Sequence, residues 1–191
     1  MAVIIGLTGK NAAGKSTVAG ILKKKGFYYF SLSDAIRDEA DRQGKDHSRH
    51  VLIAIGNELR QKFGPSVLAD RIIEKIKAGE NKGQKLFVVD SIRNPAEINA
   101  LRRLSGFQLW AIDADAKLRY KRARARGRNE NAKTFEEFLE NERTENSSSK
   151  NAQQLDNCMK MADFVIVNDS SIDDLDKKLS FLLANYENFV S

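Results

Sequence analysis

Five short apolar runs punctuate the chain, and helical periodicities fill the spaces between them. Val3-Ile4-Ile5-Gly6-Leu7, Phe27-Tyr28-Tyr29-Phe30-Ser31, Leu86-Phe87-Val88-Val89-Asp90, Phe107-Gln108-Leu109-Trp110-Ala111-Ile112-Asp113 and Phe164-Val165-Ile166-Val167-Asn168 read as strands, the third in the nearly continuous form of a buried central one. After the first run, Val18, Ile21 and Leu22 recur at helical spacing, and Gly26 supplies the stop. A helix capped by Ser33 or Asp34 follows the second run and ends at Gly44. Leu52, Ile55 and Leu59 predict a helix from about 51 to 63, and Val67, Ile72 and Ile76 another from about 66 to 77, with Gly64-Pro65 between them. Asn94, with Pro95 behind it and Glu97 three residues on, starts a helix after the third run. A basic helix is expected over 116–126. Another, over about 134–145, opens on the Thr134/Glu137 capping pattern, and a last one runs over about 172–189. Strands alternating with helices predict an α/β fold, a parallel sheet covered on both faces.

Composition narrows the picture only a little. The length of 191 residues suits one well-cored domain, taken as 1–191. No run approaches the roughly 18 apolar residues of a membrane span, and the first strand starts too early for a secretory signal, so a cytoplasmic protein with no membrane partner is expected. The single cysteine, Cys158, has no disulfide partner within the chain and no zinc pattern, and reads as a small buried hydrophobe. His47 and His50 show no metal-ligand spacing and are assigned no chemistry. The net charge of +6 admits nucleic acid, an anionic membrane or a polyanionic small molecule. Its basic residues concentrate between Lys117 and Arg128 with only Tyr120 interleaved, which disfavours nucleic acid.

The chemistry enters with Gly9-Lys10-Asn11-Ala12-Ala13-Gly14-Lys15-Ser16-Thr17, the Gly, four residues, Gly-Lys-Ser/Thr spacing of a phosphate-binding loop, set between a strand and a helix as that motif requires. Glycines let backbone N–H groups curl around a polyphosphate, and the helix N-terminus adds partial positive charge. Lys15 is expected to reach the β- and γ-phosphates of ATP and the Ser16 hydroxyl to ligate Mg²⁺. Asp90, a carboxylate ending a buried strand, has the form of a Walker B aspartate that holds Mg²⁺, usually through water.

Other candidates gather at the same sheet edge. Asp34 and Arg37 are three residues apart near a helix start, and Arg93 stands on a short connection after Asp90. Asn57, Arg60 and Lys62 can also face a substrate. On the basic helix Arg119, Arg122 and Arg126 share one face, and the Arg122/Arg126 face is favoured as the one nearer the nucleotide. The helix carrying Arg143, flanked by polar stretches, has the form of a lid over about 127–150. Trp110 reads as core.

The opening Gly6-Leu7-Thr8-Gly9-Lys10, Ser31-Leu32-Ser33-Asp34 and Asp90-Ser91-Ile92-Arg93-Asn94-Pro95 carry a resemblance to the small P-loop nucleotide kinases over nearly the whole chain. These are the nucleoside and deoxynucleoside monophosphate kinases, the dephospho-coenzyme A kinases, and an adenylate-kinase-like branch also found fused to deoxycytidylate deaminases. The resemblance implies a three-layer P-loop NTPase fold with strand order 2-3-1-4-5 and a helical lid. Arg37 and Arg93 resemble arginines that grip the acceptor phosphate, on and beside acceptor-binding helices at about 33–78. Asp34 resembles the aspartate that dephospho-coenzyme A kinases place near the hydroxyl to be phosphorylated. Arg128 and Arg143 resemble lid arginines, and Asn168 lies near the adenine position. Asn11-Ala12-Ala13 departs from the glycine-richer loops of these families, and no adenylate-kinase Gly-Phe-Pro-Arg element is present. The expected activity is ATP-dependent phosphoryl transfer to a nucleotide-like acceptor, with a (deoxy)nucleoside monophosphate ahead of dephospho-coenzyme A. A regulatory P-loop ATPase and a nucleic-acid-directed enzyme are the other classes, and a monomer or homodimer is expected.

Overall fold

The first strand, β1 (Val3–Gly9), is buried along its whole length, which only a central position in a sheet covered on both faces allows. It pairs in parallel with β3 (Leu86–Asp90) on one side and β4 (Phe107–Asp113) on the other. Outside these lie β2 (Tyr28–Ser31) and β5 (Phe164–Val167), giving the order β2-β3-β1-β4-β5 that the resemblance implies. The computed structural model describes residues 1–127, 132–146, 149 and 151–190.

Alternate strand residues feed two cores. Ile4, Phe87, Val89 and Leu109 face one side, where α2 (Leu32–Arg42), α3 (Arg49–Phe63), α4 (Val67–Glu80) and α5 (Pro95–Leu101) contribute Leu32, Ile55, Ile72 and Leu101. Ile5, Leu7, Val88 and Trp110 face the other, against α1 (Lys15–Lys24) and α9 (Ile172–Val190), which add Leu22, Leu175 and Leu179. Trp110 is wholly buried, and its indole N–H donates to Gln108 at 3.2 Å. It is core, as its apolar strand context requires.

Two elements differ from the expected ones. The helix after β2 is capped by Ser31, whose hydroxyl accepts the Ser33 N–H at 3.2 Å, and not by Ser33 or Asp34. The last strand residue, still extended, doubles as the cap, so no loop separates β2 from α2 and Asp34 falls in the first helical turn. Shortly before β5 a short helix, α8 (Leu155–Lys160), interrupts what reads as a polar connection. Its anchor is Cys158, fully buried against the first core, whose thiol burial pushes far above the ordinary range. The remaining helices are α6 (Ala116–Ala125), capped by Asp115, and α7 (Phe135–Glu145), capped by the Thr134 hydroxyl. Glu137 reaches back past Thr134 to the Lys133 N–H at 2.8 Å, so the expected capping box is shifted by one residue. Among the described residues no helix is long and apolar enough to cross a membrane.

Candidate functional site

The chain reverses between β1 and α1 through three left-handed residues, Gly9 (φ 144°), Ala12 (φ 59°) and Gly14 (φ 107°). A Cβ on Gly9 would lie 2.1 Å from the Ile112 carbonyl oxygen, and one on Gly14 would lie 2.1 Å from Asn168 Nδ2. Both motif glycines are therefore required by close approach as well as by conformation. Ala12 holds a conformation that costs a non-glycine residue about 1–2 kcal/mol, with its methyl buried among Ala123, Ala132 and Phe138. No side chain caps α1, so its first N–H groups have no side-chain acceptor.

Lys15 folds back into this loop, donating to the carbonyls of Gly9 (2.6 Å) and Lys10 (2.9 Å). Burial, then the charge of Arg93, lowers its pKa to about 8, with smaller contributions from Arg126 and Arg119 opposed by Asp90. Several cations thus converge on one loop. A bound polyphosphate keeps the Lys15 proton on, whereas the free protein loses it near pH 8, so affinity for a nucleotide should fall about tenfold per pH unit above that value. Calorimetry near pH 9 in two buffers of different ionisation enthalpy should find about one proton taken up on binding ATP. No uptake would mean that Lys15 is already charged or stays neutral.

Beside the loop a cavity of about 370 Å³ is lined by Gly14, Thr17, Arg122, Arg126 and Asn168. Arg122, which lines this cavity, has a buried Nη1 without a hydrogen-bond partner among the described residues. The Asn168 amide donates to the Ala13 carbonyl at 2.8 Å, so this side chain clamps the loop from the end of β5. On the favoured arginine face the structure separates Arg119 from its neighbours. Arg119 is buried, bonded to the carbonyls of Ala114 (3.1 Å) and Asn11 (3.3 Å) and ion-paired with Glu142 on α7.

On the other side of the loop Asp90 ends β3 almost buried. Its carboxylate accepts the Ser91 N–H at 2.6 Å and the Tyr29 hydroxyl at 3.3 Å. Burial and the adjoining Asp90 charge push the Tyr29 phenol up to about 12, keeping it a donor. Ser91 follows at φ 68°, a bend that turns the chain toward Arg93. Beyond it opens a second cavity, of about 290 Å³, whose lining includes Arg37, Arg93, Ser91, Arg60, His47 and Gln153. Arg37 and Arg93 thus line one cavity. Asp34 is exposed, pairs with Arg37 at 2.7 Å and is not in the cavity lining. His47, given no chemistry from sequence, lines this cavity and bonds Asp41 at 2.8 Å.

One residue lining the second cavity, Arg60, belongs to a buried ion pair. Arg60 meets Glu97 Oε1 through Nη2 at 2.9 Å and Nε at 3.1 Å, both side chains being almost wholly inaccessible. The other Glu97 oxygen accepts the backbone N–H groups of Arg93 (2.9 Å) and Asn94 (3.1 Å). Glu97 thereby fixes the turn that presents Arg93, whose guanidinium also bonds Gln153 at 3.3 Å. Arg143 is exposed on α7, pairs with Glu140 at 3.4 Å, and lines a third cavity with Lys10 and Asn11. Arg128 lies outside the described residues. The sequence carries no local signal for Tyr29, Gln153 or the Arg60–Glu97 pair, because each acts on a partner far along the chain.

A family model described as an AAA domain matches residues 5–148. A UPF0200 protein of Pyrococcus abyssi is 33% identical over 184 residues, 95% of each chain. Among solved structures, one from Thermus thermophilus is 23% identical, covers 96% of this chain and 97% of its own, and superposes with a TM-score of 0.62. The dephospho-CoA kinase of Campylobacter jejuni is 18% identical, with 96% of both chains covered and a TM-score of 0.57. The sheet order, the loop and these likenesses together show a P-loop kinase-like fold, and the chain belongs to the UPF0200 family of AAA-domain proteins.

Proposed function

We propose that this protein transfers the γ-phosphoryl group of ATP to a nucleotide-like acceptor, a nucleoside or deoxynucleoside monophosphate. The observation that carries this is the second cavity, where Arg37 and Arg93 meet at the same sheet edge as the phosphate loop. A slow ATPase or a sensor has no need of a second anion site.

The residues present fit a nucleotide and its magnesium ion. The glycine cradle and the unpartnered Arg122 Nη1 suit a polyphosphate. The Ser16 hydroxyl and the Asp90 carboxylate are hard oxygen donors of the kind that would hold Mg²⁺, which would supply charge neutralisation of the ATP phosphates. In the transfer, an acceptor oxygen forms a bond to the γ-phosphorus while the bond to the ADP oxygen breaks. Lys15, Arg122 and Arg126 hold the donor phosphates, and Arg37 and Arg93 hold the acceptor in line. Arg143, from the lid, and Arg128 are assigned to the developing charge on the transferred group, and Asn168 reaches the adenine side through the loop it clamps.

A monophosphate oxygen is already anionic and needs no base, whereas a ribose hydroxyl does. Asp34, exposed and held by Arg37, favours the monophosphate over dephospho-coenzyme A. Coupled ADP release across nucleoside monophosphates, deoxynucleoside monophosphates and dephospho-coenzyme A tests this, and ATP hydrolysis indifferent to every acceptor would leave the regulatory ATPase instead. Asp34→Asn should change the turnover of a monophosphate less than about threefold, since it removes only an exposed pair. A steep loss together with disappearance of the acidic limb of the pH profile would move the chemistry to a hydroxyl acceptor. Arg93→Lys should raise the acceptor KM by tenfold or so while leaving ATP affinity largely intact, because lysine cannot reproduce the bidentate grip. Equal losses on both substrates would place Arg93 on the donor side.

A further inference from the structure

The lid helix α7 rests on the tip of the phosphate loop, and two different kinds of contact hold it there. The first is polar. Arg119, 3% exposed, sends one nitrogen to the Ala114 carbonyl at the start of its own helix and another to Asn11 O, where it also meets the Glu142 carboxylate of α7. One guanidinium therefore fastens a loop carbonyl and a lid carboxylate together. Its Cζ lies 5.5 Å from the Phe138 ring centroid, so α7 contributes a second contact to the same group.

The second contact is apolar. The Ala12 methyl is buried with Phe138 of α7 and Ala123 of α6, and Tyr120, Phe135 and Leu139 pack around them. A glycine would hold the left-handed conformation at position 12 without strain, yet the chain places a methyl there, and that methyl touches the lid. Consecutive loop residues, Asn11 and Ala12, are thus each tied to α7 by independent chemistry.

We propose that Arg119 is a positioning residue that couples the phosphate loop to the lid helix, so that the conformation of Asn11 and Ala12 and the docking of α7 change together. With α7 docked, the loop is preorganised for phosphates, and affinity does not have to cover the cost of ordering it. By reciprocity, phosphates that fix the loop hold α7 down. This role rests on the phosphate-binding assignment of the loop made above, but not on the identity of the acceptor.

Hydrogen exchange read by mass spectrometry on the full chain tests it, with wild type, Glu142→Gln and Ala12→Gly compared free and with ATP or tripolyphosphate. Glu142→Gln removes the negative charge of the polar tie, leaving at most a neutral hydrogen bond, and Ala12→Gly removes the apolar contact. In the free protein each should speed exchange about fivefold or more both in α7 and at the amides of residues 11–13, with β3 and β4 unchanged. In wild type, either ligand should slow exchange in α7. In the variants that response should shrink, and the Kd for ATP should rise by about fivefold or more. Faster exchange confined to α7, with the loop amides and the Kd unchanged, would overturn the coupling and leave Arg119 a purely structural arginine. If neither ligand binds wild type, the phosphate assignment fails, and the free-protein comparison still decides whether loop and lid move as one.

Discussion

Replacing Lys15 with alanine should lower phosphoryl transfer by about a hundredfold or more, equivalent to roughly 3 kcal/mol of transition-state stabilisation, while the protein stays folded. The fold is spared because the Lys15 Nζ bonds go to the carbonyls of Gly9 and Lys10, both within the loop. Its removal also relieves crowding with Arg93, Arg126 and Arg119, the charges that depress its pKa. The measurement is steady-state turnover with the best acceptor from the ADP-release panel, beside the urea midpoint of the same preparation. Near-normal turnover in a folded variant would remove the central claim.

A larger effect, on stability, is expected from Glu97→Gln, which keeps the side chain's shape and deletes its charge. Arg60 would be left as a buried cation without its counter-ion, and breaking a buried pair from one side typically costs about 3–5 kcal/mol. The amide has a single acceptor oxygen where the carboxylate had two. It therefore cannot serve both Arg60 and the N–H groups of Arg93 and Asn94. Urea unfolding should show a lower midpoint at an unchanged m-value. The acceptor KM should rise in the folded fraction, because the turn presenting Arg93 has lost its anchor. A midpoint shift worth less than about 1 kcal/mol would mean that the pair is solvated and the turn held by other contacts.

Much of the sheet was legible because its central strands are dry on both faces. Leu86–Asp90 is an unbroken apolar run closed by a carboxylate, Phe107–Asp113 is one interrupted only by Gln108, and both strands have those bounds. The start of α2 was not legible, since Ser31 serves both as the last strand residue and as the cap, and local patterns treat those as separate roles. Nor was α8, a six-residue helix whose lone fully buried anchor, Cys158, gives no period to read. In the site, the phosphate loop, Arg37 and Arg93 were visible because the motif's spacing and the ends of two apolar runs mark their positions along the chain. Arg119 and Arg122 could not be told apart, since periodicity puts both on one face of α6. What buries Arg119 is Glu142, 23 residues away. Glu97 was visible as a capping residue but not as half of an ion pair, because Arg60 lies 37 residues before it.

The glycines of the phosphate loop look outward for their reason as well as inward. Gly9 is pressed against the Ile112 carbonyl of β4, Gly14 against Asn168, and Asn168 in turn holds the Ala13 carbonyl. The nine residues of the motif are therefore a casting taken from a mould made by two strands more than a hundred residues downstream. A synthetic peptide of the first strand, loop and helix, or the same nine residues transplanted between a strand and a helix of another scaffold, would carry the letters of the motif without its shape. Such a graft should bind phosphate only where the host offers a carbonyl and an amide in the places of Ile112 and Asn168.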